Sequence, residues 1–184
     1  MCDGRVLFSL ICLIKLVMNK NMIFDADGQA AQTELKDQRK GAVRYMIKTY
    51  VIDTNVLIQA PYAIECFEEN NLVLPLVVLE ELDGLKKAEG EKGANARAAV
   101  RKLESYRQKG DLLQGVKLPG GGILRIEKNF VQVELPQDIP DDKPDNRILK
   151  VCKGLTETKK DKQVILVTKD IVLRLKAQIL GIKA

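Results

Sequence analysis

Residues 48–53 read KTYVID and residues 163–170 read QVILVTKD. Each is a short run rich in β-branched residues that leads into an aspartate, and QVILV is the most strand-like segment of the chain. Between them the pattern alternates. Pro61 opens an expected helix over 61–69, residues 71–74 (NLVL) read as a strand, and Pro75 starts a helix that runs to about Lys87. Gly90 and Gly93 punctuate the chain, after which Ala96, Ala99, Val100, Leu103 and Tyr106 recur at helical spacing over 94–108. Gly110–Gly122 reads as loop, and 123–127 (ILRIE) with 130–134 (FVQVE) as a small hairpin around Lys128 and Asn129. Beyond the Pro/Asp-rich stretch 136–144, one helix starts near Asp145 and another runs from about Asp170 to Leu180. Strands alternating with helices predict an α/β fold, a three-layer sandwich around a central parallel sheet.

Residues 1–45 read differently. Residues 6–18 (VLFSLICLIKLVM) are apolar but broken by Lys15 and too short to span a bilayer, so no stable membrane insertion is expected. Only Arg5 precedes them, offset by Asp3, and no small-residue cleavage site follows at once, which argues against a secretory leader. Residues 25–44 are polar and loosely patterned. The division expected is an N-terminal extension over 1–45, weakly structured or preceding a natural start at Met46, and a folded domain over 46–184.

Of 184 residues none is histidine, which excludes His-based nucleophilic triads, imidazole acid–base pairs and His-ligated zinc. Cys2, Cys12, Cys66 and Cys152 form no CxxC pair, and their scatter suggests reduced thiols in a cytoplasmic protein. With 46% apolar residues the chain is no disordered polyelectrolyte, and its net charge of +5 gives a weak tendency toward polyanions.

The acids carry the chemistry. In open α/β sheets, ligands bind beyond the carboxyl ends of the strands, where Asp53 and Asp170 are placed by position. Asp145 opens the helix before the last strand. In 76–87, Val78, Leu82 and Leu85 define an apolar stripe; Glu80 and Asp83 turn toward solvent, whereas Glu81 lies about 60° from Val78 on the core-facing flank. An inward carboxylate is costly unless it is paired or bound to a cation. Singly, Asp53, Asp145 and Asp170 also suit helix caps or dipole partners, and Glu81 suits a salt-bridged flank. Together in one crevice they would repel and raise one another's pKa values unless a cation sat among them. Oxygen-only donors point to Mg²⁺ or Mn²⁺, and such a centre can hydrolyse phosphodiesters.

TYVIDTNVLI (49–58), VLPLVVLEELDGLKK (73–87), PDNRIL (144–149) and ILVTKDIVLRLKA (165–177), in this order and spacing, resemble the PIN domain, a metal-dependent nuclease fold. The likeness extends to the PIN domain at the N-terminus of bacterial PhoH-like proteins, matched by the Pro-Gly-Gly-Gly-then-strand element at 119–127. It covers Ile47 onward. It implies a parallel sheet flanked by helices and a Mg²⁺ or Mn²⁺ pocket built from Asp53, Glu81, Asp145 and Asp170, with Asn55 and Thr168 in support. The activity it implies is hydrolysis of RNA, single-stranded by preference, leaving a 5′-phosphate and a 3′-hydroxyl. PhoH-like proteins continue into a C-terminal ATPase domain, but no GxxxxGK[ST] loop occurs here. The fold would be entering its last edge strand at LGIKA, so that strand is expected to be cut short.

Substrate contacts are expected from basic residues near the crevice: Lys86, Lys87, Arg97, Arg101, Arg147 and Lys169. Arg97 and Arg101 share a helix face and could meet phosphates, or be ordinary solvated residues. Aromatic content of 4% leaves few stacking platforms. A haloacid-dehalogenase-like phosphatase fits less well, since it needs a second aspartate where Asn55 stands. A response-regulator receiver fits poorly in the order of its acids. A PIN module that only binds RNA or a partner stays open, as do a toxin role and a homo-oligomer.

Overall fold

The computed structural model describes residues 22–24, 30–32, 47–140, 142–158 and 163–184. The chain divides into two units, Met1–Met46 and Ile47–Ala184. In the first, β1 (Met22–Phe24) pairs antiparallel with β2 (Ala30–Gln32); the apolar stretch 6–18 and most of the polar stretch 25–44 lie outside the described residues.

The second unit is built on β3 (Thr49–Ile52), β4 (Asn71–Pro75), β5 (Val116–Lys117), β6 (Ile123–Glu127) and β7 (Val164–Val167), in the order β5-β6-β4-β3-β7. β3 runs parallel to both β4 and β7, β4 runs parallel to β6, and only β5 is antiparallel. This is the mostly parallel α/β sheet that the alternation predicts. β3 is central, and its four residues are all buried, which is why it reads as an unbroken apolar run. Each large side chain buried here contributes roughly 1.5–3 kcal/mol.

The helices are α1 (Thr54–Gln59), α2 (Leu76–Leu85), α3 (Gly90–Arg107), α4 (Pro144–Thr158) and α5 (Ile171–Ile179). α1 and α2 both pack on α3, and α4 packs on β3 and β7. The order of strand addition reverses at β3, with β4 on one side and β7 on the other, and there the Asp53 amide donates to the Val167 carbonyl at 3.1 Å.

Four local expectations are corrected. The helix expected over 61–69 is only a 3-10 turn over Pro61–Glu65; the α-helix lies before it as α1, because helix begins directly behind Asp53 and Pro61 supplies no amide to continue it. The helix expected from 94 begins at Gly90; Gly93 lies inside it because a Cβ there would stand 1.8 Å from the Ala88 carbonyl oxygen. Part of the loop Gly110–Gly122 is β5. No hairpin forms around Lys128 and Asn129: β6 takes β4 and β5 as neighbours, while Phe130 turns with φ 47° and buries its ring against Gly154. Near the C-terminus the Leu166 amide donates to the Lys183 carbonyl at 2.8 Å, and Lys183 makes one parallel bridge with Ile165 where the edge strand was expected. Among the described residues no helix is long and apolar enough to cross a membrane.

Candidate active site

Four elements meet at the carboxyl end of the sheet. Asp53 follows β3, Glu81 sits on α2, Asp145 lies in the first turn of α4, and Asp170 precedes α5. All four line one cavity of about 410 Å³, together with Thr54, Asn55, Ile58, Gly84, Leu85 and Lys92. Helical phase places them as the sequence suggests: Glu80 and Asp83 are exposed, and Glu81 is half-buried.

Asp53 is the most enclosed of the four, 4% exposed. Burial is the main reason that its carboxyl is raised from an ordinary value of 3.8 to about 6; the Thr168 hydroxyl and the Thr54 amide pull it back, and the charges of Asp145 and Glu81 push it up. Thr168 Oγ1 donates to Asp53 Oδ2 at 2.5 Å and accepts from Asn55 Nδ2 at 3.1 Å and from the Asp170 amide at 3.0 Å. Asn55 Oδ1 in turn accepts from the Lys169 amide at 3.1 Å. A hydroxyl has one proton to give, and Thr168 is held so that it goes to Asp53. Thr168→Val keeps the shape but leaves the buried Asp53 carboxylate without that donor; the domain is expected to lose about 1–3 kcal/mol of stability, read from urea melts at pH 8.

The other carboxylates also have protein partners. Glu81 Oε2 accepts from the Thr54 hydroxyl. Asp170 Oδ1 caps α5, accepting from the Val172 and Leu173 amides at 2.7 and 3.1 Å. The cap reading considered for Asp170 therefore holds, and capping does not exclude a second role for its free oxygen. Asp53 stands at the N-cap of α1 but makes no side-chain capping bond. As placed, no three acidic or thiol groups among the described residues stand close enough together to chelate an ion. The donor chemistry nevertheless suits a hard divalent cation, since the cavity offers carboxylate, amide and hydroxyl oxygens and its lining holds no imidazole or thiol.

The basic residues separate. Arg97 donates to the Lys86 carbonyl at 2.7 Å, fastening α3 to the end of α2. Lys86 pairs with Asp83 at 2.5 Å, Arg147 stands 3.9 Å from Glu80, and Lys169 bonds Gln59. Arg101 is exposed. None of these lines the cavity; the cation that does is Lys92. Sequence reasoning passes over Lys92 because it starts that helix at 94 instead of Gly90, and over Thr54 because its hydroxyl acts across to another helix.

An acidic cavity beyond the strand ends, where the strand order reverses at β3, is the site of a mostly parallel α/β module. The PIN domain model matches residues 50–184, and the chain belongs to that family. It is 49% identical over 144 residues to Protein PhoH2 of Bacillus subtilis (strain 168), covering 76% of this chain and 33% of that protein. Protein PhoH2 of Thermobispora bispora is 40% identical over 74% of this chain and 31% of its own length, and that of Mycolicibacterium smegmatis 40% over 75% and 32%. The chain thus spans about a third of the curated relatives it matches. Among solved structures it is similar to a domain of a functionally unknown protein from Methanocaldococcus jannaschii (TM-score 0.45, 20% identity, covering 74% of this chain and 89% of that one).

Proposed function

We propose that the chain is a Mg²⁺- or Mn²⁺-dependent ribonuclease that hydrolyses single-stranded RNA. The observation that carries this reading is the gathering of four carboxylates from four separate elements around one cavity, with Asp53 buried at its floor. Capping accounts for Asp170, but no local role asks for the buried Asp53 carboxylate beside three further acids, whereas a divalent cation balances them. Asp53, Glu81, Asp145 and Asp170 would hold the ion. When bound, it supplies an acidified water and neutralises charge on the leaving oxygen. Thr168 and Asn55 keep Asp53 oriented, Thr54 steadies Glu81, and Lys92, which lines the same cavity, offers the RNA backbone a cation. Free thiols at Cys66 and Cys152 agree with a cytoplasmic setting.

The reading is tested with the full chain and a 5′-labelled single-stranded RNA across a Mg²⁺ and Mn²⁺ titration. Expected are cleavage that stops on chelation and products bearing 3′-hydroxyl ends. Cleavage indifferent to chelator, or 2′,3′-cyclic phosphate ends, would refute it. One observation favours a second reading, a non-catalytic PIN module that binds RNA or a partner inside a longer PhoH-like ATPase protein: Glu81 and Asp170 are already engaged by Thr54 and by α5. RNA retained without cleavage in either metal would select it.

A further inference from the structure

Gly84 has no structural reason to be glycine. It lies within α2, its φ is not positive, and it makes no left-handed helix stop. A Cβ built on it meets nothing within 4 Å, unlike those at Gly93, Gly120 and Gly122, which would strike backbone. Glycine at a helical position is less stable than alanine, so Gly84 weakens its helix with no packing return. The space it leaves open belongs to the carboxylate cavity, one helical turn from Glu81. The half-buried side chains of Ile58 and Leu85 give that cavity an apolar lining in addition to its acids, and Lys92 also lines it. The Ile58 carbonyl accepts from Asn95 at 2.9 Å, which fixes α1 against α3.

We infer that Gly84, Ile58, Leu85 and Lys92 form a subsite for the nucleotide that flanks the scissile phosphate. The missing side chain at Gly84 lets a ribose or base lie against α2, Ile58 and Leu85 cover its apolar face, and Lys92 meets its phosphate. This chemistry suits a single-stranded polynucleotide, whose unstacked bases present a face and whose backbone presents regular charge. A small inorganic anion would have no use for the apolar lining. The subsite rests on the ribonuclease reading for its ligand class, and it adds where the strand runs.

The test is anisotropy of a fluorescent single-stranded oligoribonucleotide with the full chain in Mn²⁺, read in the cold with the intact length of the probe verified on a gel, alongside calorimetric Mn²⁺ binding and melting. Gly84→Leu is expected to weaken oligonucleotide binding about tenfold or more while Mn²⁺ affinity is unchanged. Gly84→Ala is expected to raise the melting temperature by about 2–4 °C and weaken binding less. Lys92→Gln is expected to lower affinity and reduce the salt slope by about one. Unchanged oligonucleotide affinity in a folded Gly84→Leu protein overturns the subsite, as does wild-type protein that fails to bind the oligonucleotide. Binding that is sensitive to Gly84→Leu in a protein that takes up no Mn²⁺ leaves the subsite standing and refutes the metal-dependent reading instead.

Discussion

Asp53→Asn is expected to lower RNA cleavage at least about a hundredfold and, in the same protein, to raise stability in the absence of metal. The first effect follows from removing the buried carboxylate that is proposed to hold the metal ion. The second follows from the Asp53 carboxyl being raised from 3.8 to about 6 on folding, chiefly by burial. A carboxyl that holds its proton more tightly when folded favours the fold at low pH. That stability is fully present below the unfolded value and is lost as pH rises through the folded one. Between about pH 4 and pH 7 the metal-free wild type therefore gives up on the order of 2–3 kcal/mol, and asparagine, which does not titrate, gives up none of it. The gap between variant and wild type should be small at pH 4, open through pH 5–6 and level off above 7, as measured by urea melts in chelator. Adding Mn²⁺ should stabilise the wild type more than the variant. A variant less stable than wild type at pH 8 in chelator would show that Asp53 is held by compensating interactions and not strained by its burial.

Gly122→Ala is expected to destabilise the domain by about 2–4 kcal/mol without changing the Mn²⁺ affinity of the molecules that fold. A Cβ at Gly122 would stand 1.9 Å from the Asn70 carbonyl oxygen and 2.7 Å from its carbon, and neither backbone can retreat. Asn70 is a hub: its Oδ1 accepts from the Lys48 amide at 2.9 Å and its Nδ2 donates to the Phe67 carbonyl at 3.1 Å. Displacing it disturbs the start of both β3 and β4. Those strands run parallel, so the damage falls at the amino end of the sheet, opposite the carboxylates. A lowered urea midpoint with an unchanged slope would agree; a midpoint within about 0.5 kcal/mol of wild type would contradict the close approach.

Much of the site can be read from the chain because its acids are tied to local patterns. Asp53 and Asp170 follow strands whose β-branched runs are unmistakable, and Glu81 is separated from Glu80 and Asp83 by helical phase alone. Thr54 and Lys92 are harder to read, since a hydroxyl that bonds a glutamate on another helix and a lysine that faces a cavity formed by several elements leave no periodic trace. Residues 130–134 mislead for a related reason. FVQVE alternates like a strand, but β4 offers β6 a parallel edge and the Phe130 ring has a place against Gly154, so tertiary packing overrides the local preference.

The sequence by itself determined the α/β class, the four acids and the exclusion of imidazole chemistry, because strand and helix periods and residue types are properties of neighbours along the chain. The tertiary structure decided which side chains share the cavity, that Asp170 caps α5 while Arg97 fastens α3 to α2, and that Gly84 and Lys92 complete the wall. Those outcomes depend on contacts between segments far apart in sequence. Only the order β5-β6-β4-β3-β7 brings the ends of β3 and β7 together and sets the helices around them.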